Sequence, residues 1–127
     1  MFYIGIDLGG TKIAAGIVDE ECKILYKDSV PTGRTRKSAE IVNDLCMLVK
    51  KLMREAQLEA GDIYSIGIGS PGSLDRESGI IIANFNLGFR NVRIREDIQK
   101  HIPVPVYLEN DANCAAIAES VAGAARG

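Results

Sequence analysis

Tryptophan is absent from this 127-residue chain and only 6% of its residues are aromatic. A stacking platform for single-stranded nucleic acid therefore has little to be built from. Charge of one sign is also missing: 15 Lys and Arg are scattered among 17 Asp and Glu, for a formal net charge of -2. Neither a nucleic-acid groove nor an anionic membrane surface is expected as a partner. Cysteine is sparse and badly placed for bridging or metal. Cys22, Cys46 and Cys114 are odd in number, widely spaced, and without a CxxC pair or a Cys/His metal spacing. Reduced, mostly buried thiols in a cytoplasmic protein are the expectation. The opening MFYIGIDLGG has no basic region and no long apolar run, so a signal peptide is not expected. No stretch approaches the ~20 apolar residues of a membrane span. What is present, 46% hydrophobic and 25% charged residues, is ordinary for one globular domain.

The periodicity changes along the chain. Phe2, Ile4, Ile6 and Leu8 alternate with Tyr3, Gly5 and Asp7, the two-residue period of a strand. Gly9-Gly10 offers a tight turn, and further strands are predicted over Lys12–Val18 and Lys23–Val30. After a loop from Pro31 to Lys37, apolar residues from Ile41 to Ala56 recur at helical spacing, with Ser38 as N-cap and Gly61 as stop. Strands follow at Tyr64–Ser70 and, short, at Ile80–Ala83, with a turn over Leu74–Gly79 between them. A short helix is predicted over Arg93–His101, a strand over Pro105–Glu109, and an Ala-rich helix over Ala112–Ala122. The order β-β-β-α-β-α-β-α, with the Ile80–Ala83 strand inserted, points to an α/β fold with a mixed sheet flanked by helices. It resembles the ribonuclease H-like half of the actin and hexokinase superfamily, whose enzymes pair two such halves around a cleft.

Three motifs carry chemistry. In Asp7-Leu8-Gly9-Gly10-Thr11-Lys12 two glycines let backbone N–H groups converge on a phosphate, Thr11 adds a hydroxyl, and Asp7 can hold Mg²⁺ through water. A plain hairpin is the alternative, and the string does not match a Walker A loop. Gly67-Ile68-Gly69-Ser70-Pro71-Gly72 satisfies the dinucleotide fingerprint, but a turn and a strand follow it rather than a helix, so that reading fails. A strand ending in a pocket-lining loop at Gly72-Ser73 is the better one, with packing of those glycines against a neighbour as the alternative. The third motif, Glu109-Asn110-Asp111-Ala112-Asn113, puts a carboxylate where a buried strand meets a helix. Either Asn110 or Asp111 there is simply an N-cap, or Asp111 is an ionised, fixed base; a loose phosphoryl-transfer transition state needs the attacking hydroxyl oriented before it loses its proton. Asn84 and Asn86 both donate and accept, which suits sugar hydroxyls, although loop amides also bond their own backbone. His101, the one histidine, is assigned no catalytic role, and Arg93, Arg95 and Lys100 read as a solvated helix face.

Together these strings are similar to the ROK family of bacterial sugar kinases and regulators. The similarity lies in IGIDLGGTK at Ile4–Lys12, GIGSPGSLD at Gly67–Asp75, NLGF at Asn86–Phe89, ENDANCAA at Glu109–Ala116 and ESVAGAARG at Glu119–Gly127. Phe89 stands where many members carry Trp. The resemblance implies an ATP-dependent hexokinase or glucokinase type of enzyme, with glucose as the default hexose. Asp7, Gly9, Gly10, Thr11 and Lys12 would bind Mg-ATP. Gly72, Ser73, Asn110, Asp111 and either Asn84 or Asn86 would bind the sugar, with Asp111 as the catalytic base. It also implies that residues 1–127 are the N-terminal domain of a two-domain protein. Zinc, the second phosphate motif and the adenosine motif are expected only in the other half. Such a piece is expected to be inactive alone and, through the face that meets its missing half, to self-associate. The competing readings are a sugar-sensing transcriptional regulator, an actin- or chaperone-like ATPase, and a sugar-binding module without catalysis.

Overall fold

The computed structural model describes residues 1–21, 23–33, 37–84 and 87–109. Alternating apolar residues build three consecutive strands, β1 (Phe2–Leu8), β2 (Lys12–Val18) and β3 (Ile24–Pro31). They form an antiparallel meander through tight connections. The helical run then brings the chain back as α1 (Ser38–Ala56), and a 3-10 turn at Ala60–Asp62 leads into β4 (Ile63–Gly69). β4 lies beside β1 and parallel to it. β5 (Ser73–Asp75), β6 (Ile80–Asn84) and β7 (Phe89–Val92) form a separate antiparallel sheet of three strands. After α2 (Ile94–Gln99), β8 (Val106–Glu109) adds to β4 in parallel and completes a five-stranded sheet of order β3-β2-β1-β4-β8. This mixed, helix-covered sheet is the expected ribonuclease H-like arrangement.

The core lies between this sheet and α1. Ile4, Ile6 and Leu8 of β1, Ile66 and Ile68 of β4, and Ile41, Leu45 and Val49 of α1 are fully buried there. Each such side chain contributes roughly 1.5–3 kcal/mol by leaving water. Cys46 sits on the same helix face, and burial pushes its thiol up to about 11. Among the described residues no helix is long and apolar enough to cross a membrane.

Several details differ from the sequence-based expectation. Lys37, not Ser38, occupies the N-cap of α1, and it makes no side-chain cap bond; Ser38 is already helical. The helix stops at Gln57 rather than at Gly61. Gln57 adopts a left-handed conformation (φ 58°), Leu58 N–H donates to Met53 O at 2.8 Å, and Leu58 packs on the core. That apolar contact offsets the left-handed cost of about 1–2 kcal/mol, which is why no glycine is needed. The first two residues of the expected turn, Leu74 and Asp75, belong to strand β5, and β7 falls where only loop was expected. Both are too short, at three and four residues, to show alternation. β3 and β4 are each displaced by one residue, and α2 is shorter than the predicted Arg93–His101. The expected helix over Ala112–Ala122 lies outside the described residues, as do Cys22 and Cys114.

Candidate active site at the ends of three parallel strands

Strand register brings the three motifs to one edge of the sheet. Asp7 pairs with Gly69, and Gly69 pairs with Glu109, so the ends of β1, β4 and β8 lie in one row. With neighbouring strands about 4.8 Å apart, Asp7 and Glu109 stand roughly 10 Å from each other across β4. Their side chains share the sheet face opposite α1, because Ile6, Ile68 and Leu108, one residue earlier in each strand, enter the core. Ligands in helix-covered sheets gather at such carboxyl ends of parallel strands. The dipeptide Asn110-Asp111 follows Glu109 directly; like Asn86, it lies outside the described residues.

The diglycine turn joins β1 to β2. Gly9 N–H donates to Lys12 O at 3.1 Å, and a Cβ on Gly9 would come within 2.9 Å of that same carbonyl oxygen. Thr32, fully buried just past β3, fixes the turn from behind. Its hydroxyl donates to Gly9 O at 2.8 Å, and its N–H donates to Thr11 O at 3.0 Å. Three carbonyls of the turn are thus occupied within the protein. Among the described residues, none accepts from the N–H of Gly10 or Thr11. An anion approaching this turn meets those two donors, with the Thr11 and Lys12 side chains exposed beside them. Asp7 is half-buried at the foot of the turn, with its Oδ1 atom buried. A carboxylate is the hard oxygen donor that Mg²⁺ takes, directly or through water, so the residues present fit that ion.

The second motif leaves β4 through Ser70. This residue is fully buried, and its N–H donates to Glu109 O at 2.9 Å. Gly72 follows with φ 102°, and a Cβ there would lie 2.1 Å from Ala83 O, so the loop passes over β6 with room only for glycine. Ser73 is exposed at the start of β5. Asn84 is 2% exposed. Its Nδ2 donates to Ser70 Oγ at 3.0 Å and its Oδ1 accepts from Leu87 N–H at 3.3 Å. The amide thereby ties the end of β6 to the end of β4.

Sequence reasoning overlooked Thr32, Ser70 and Arg95. Nothing local marks Thr32, since its partners are 23 and 21 positions away. Ser70 stood inside the Gly67–Gly72 string, yet only its pairing with Asn84 shows what its hydroxyl does. Arg95 does not belong to a solvated face. It is half-buried and bonded to three main-chain carbonyls, because β8 and the β5–β6 turn fold against α2.

Comparison with known proteins agrees with this fold. Residues 3–127 match the ROK family. A glucokinase of Streptomyces coelicolor is 37% identical over 124 residues, covering 98% of this chain and 37% of the relative. An N-acetyl-D-glucosamine kinase of Salmonella arizonae is 38% identical over 120 residues, covering 94% of this chain and 38% of the relative. The crystal structure of a ROK family glucokinase from Streptomyces griseus, in complex with glucose and AMPPNP, superposes with a TM-score of 0.79 at 34% identity. That match covers 100% of this chain and 38% of the other. The chain spans under two-fifths of the length of each of these relatives.

Proposed function

The chain belongs to the ROK family, and from that premise we propose that it is the N-terminal domain of an ATP-dependent sugar kinase. The reaction is transfer of the γ-phosphoryl group of ATP to a hexose hydroxyl, with glucose O6 as the first choice. The observation that carries this reading is the single row formed by Asp7, Gly69 and Glu109. It sets a donor-lined anion turn beside the strand end from which Asn110 and Asp111 follow.

In this reading Gly10 and Thr11 N–H groups, the Thr11 hydroxyl and Lys12 hold the phosphates, and Asp7 takes Mg²⁺ through water. When bound, the ion neutralises charge on the phosphate oxygens. Gly72, Ser73 and Asn110 hold sugar hydroxyls. Asn86 is favoured over Asn84 for the same task, because the Asn84 amide is committed to Ser70 and Leu87. The Asp111 carboxylate orients the attacking hydroxyl. As the new bond from the hydroxyl oxygen to phosphorus forms, the bond from phosphorus to the β–γ bridging oxygen breaks, ADP leaves, and the hydroxyl proton passes to Asp111. A second domain would close over this edge and exclude water, and zinc belongs to that domain if anywhere. The isolated 127-residue chain is therefore expected to turn over little or no sugar.

The direct test is hexose-dependent ADP release by the full-length product of this reading frame, with Asp111→Asn as control. Release that requires a hexose and disappears in the control supports the kinase and its base together. Sugar binding without ADP release, from folded protein, turns the assignment to a sugar-sensing regulator or binding module. ATP hydrolysis indifferent to sugar turns it to an actin-like ATPase.

A further inference from the structure

Arg95 extends from α2 across a junction between the two sheets. Its Nε donates to Val106 O at 2.9 Å, Nη1 to Glu77 O at 2.7 Å and Nη2 to Arg76 O at 2.8 Å. Val106 opens β8, the outermost strand of the large sheet, and the guanidinium takes its carbonyl there. Arg76 and Glu77 belong to the turn between β5 and β6. The Arg95 N–H adds a bond to Gly79 O at 3.2 Å, so residue 95 holds both ends of that turn. Gly79 has φ 72°, and a Cβ on it would stand 2.4 Å from Arg95 Cβ and 2.7 Å from its Nε. Glycine is what allows the side chain to pass. Arg76 in turn reaches Glu109, with Nη2 and Oε2 3.7 Å apart.

Three carbonyls from two separate segments need a rigid planar fork. A lysine, with one nitrogen on a flexible stem, cannot span them. The hairpin gripped in this way begins at Gly72-Ser73 and returns at Asn84, and β8 leads into Asn110-Asp111. We propose that Arg95 is a positioning residue for the sugar side of the site. It sets the hairpin that carries Gly72 and Ser73 at a fixed distance from the end of β8. The inference rests on the sugar-kinase reading above. β5 is three residues long, about 10 Å, so a shift of the turn passes along it to the Gly72-Ser73 loop. The phosphate turn belongs to β1 and β2 and touches none of these bonds.

The test uses full-length protein carrying Arg95→Lys or, separately, Gly79→Ala, which keeps the guanidinium but displaces it. Initial rates would be measured against D-glucose and N-acetyl-D-glucosamine at saturating Mg-ATP, and against Mg-ATP at saturating sugar. Both variants are expected to lose about 10-fold or more in kcat/KM for the sugar, while KM for ATP stays within about 2-fold. If Arg95→Lys yields no folded protein, Gly79→Ala decides alone. Unchanged sugar kinetics in a folded variant would overturn the proposal. So would an equal loss for sugar and ATP, which marks general loosening. A wild-type enzyme that phosphorylates neither sugar, nor any other hexose, sinks the kinase reading itself, an outcome distinct from either of these.

Discussion

The phosphate turn and the sugar-side hairpin meet at one sheet edge but are held by different means. The turn is a direct continuation of two central strands, and among the described residues buried Thr32 fastens it from outside, through its hydroxyl and its N–H. The hairpin belongs to a small sheet of its own. Its fasteners are side chains reaching main-chain groups and one another across the fold: Asn84 to Ser70, Arg95 to three carbonyls, Arg76 to Glu109. Backbone donors suffice for an anion, because phosphates present the same oxygens whatever they are attached to. A hexose is read by the placement of several hydroxyl partners, and such partners sit on segments fixed to a scaffold rather than within it. The two sides are therefore expected to fail separately.

That separation can be broken most severely at Gly72. An alanine there meets Ala83 O at 2.1 Å and must hold φ near 102°. Gly72→Ala is expected to cost on the order of 3 kcal/mol or more in urea unfolding, with sugar binding lost first. Asn84→Ala leaves the Ser70 hydroxyl and Leu87 N–H without this partner in a buried place. It should lower stability by about 2 kcal/mol and weaken sugar affinity more than nucleotide affinity. Thr32→Val examines the other side. Loss of the bond to Gly9 O is expected to cost about 1–2 kcal/mol and to weaken ADP binding measured by calorimetry, with sugar affinity unchanged. Thr32→Ser should restore both stability and ADP binding. If Thr32→Val impairs sugar and nucleotide equally, the two sides are one unit and the comparison fails.

The smallest effect is expected at Lys51, which pairs with Asp28 between α1 and β3 and belongs to neither side. The Lys51 ammonium holds the Asp28 carboxyl below its ordinary 3.8. A lowered carboxylate pKa contributes stability above the unfolded value and loses it as pH falls through the folded one. Both groups are exposed, so salt and water screen the pair. Lys51→Met should leave the melting temperature at pH 7 nearly unchanged and both affinities intact. Any residual difference from wild type should shrink further below pH 3.8, where wild type also loses the pair. A large loss of stability at pH 7 would show that this pair is far less screened than its exposure implies.

Much of the fold was legible because it rests on local periods. The alternation in Phe2–Leu8 and Lys12–Val18 matches the strands to the residue, and the spacing from Ile41 to Ala56 matches α1. β5 and β7 were not legible, since three or four residues cannot show a period, and their partners lie along the same hairpin system. The cap residues of α1 were misread for a related reason. Ser38 and Gly61 have suitable chemistry, but Leu58 packing on the core places the stop at Gln57. In the candidate site, Asp7 through Lys12 and Gly72-Ser73 could be picked out as strings. Their mutual placement could not, because no local pattern says which strands pair or in what register.

By itself the sequence determined which segments are strands and helices, which faces are apolar, and that backbone-rich turns stand ready for an anion. These follow from side-chain periodicity and from what glycine permits, and both act within a few residues. The tertiary structure alone decided that Asp7, Gly69 and Glu109 share a row. It also decided that Thr32 fixes a turn two strands away in the chain, and that Arg95 joins two sheets rather than facing water. Each of these is a contact between residues 11 to 62 positions apart. No local preference encodes such contacts; they arise when burying the isoleucines of β1, β4 and α1 sets the strand order and register.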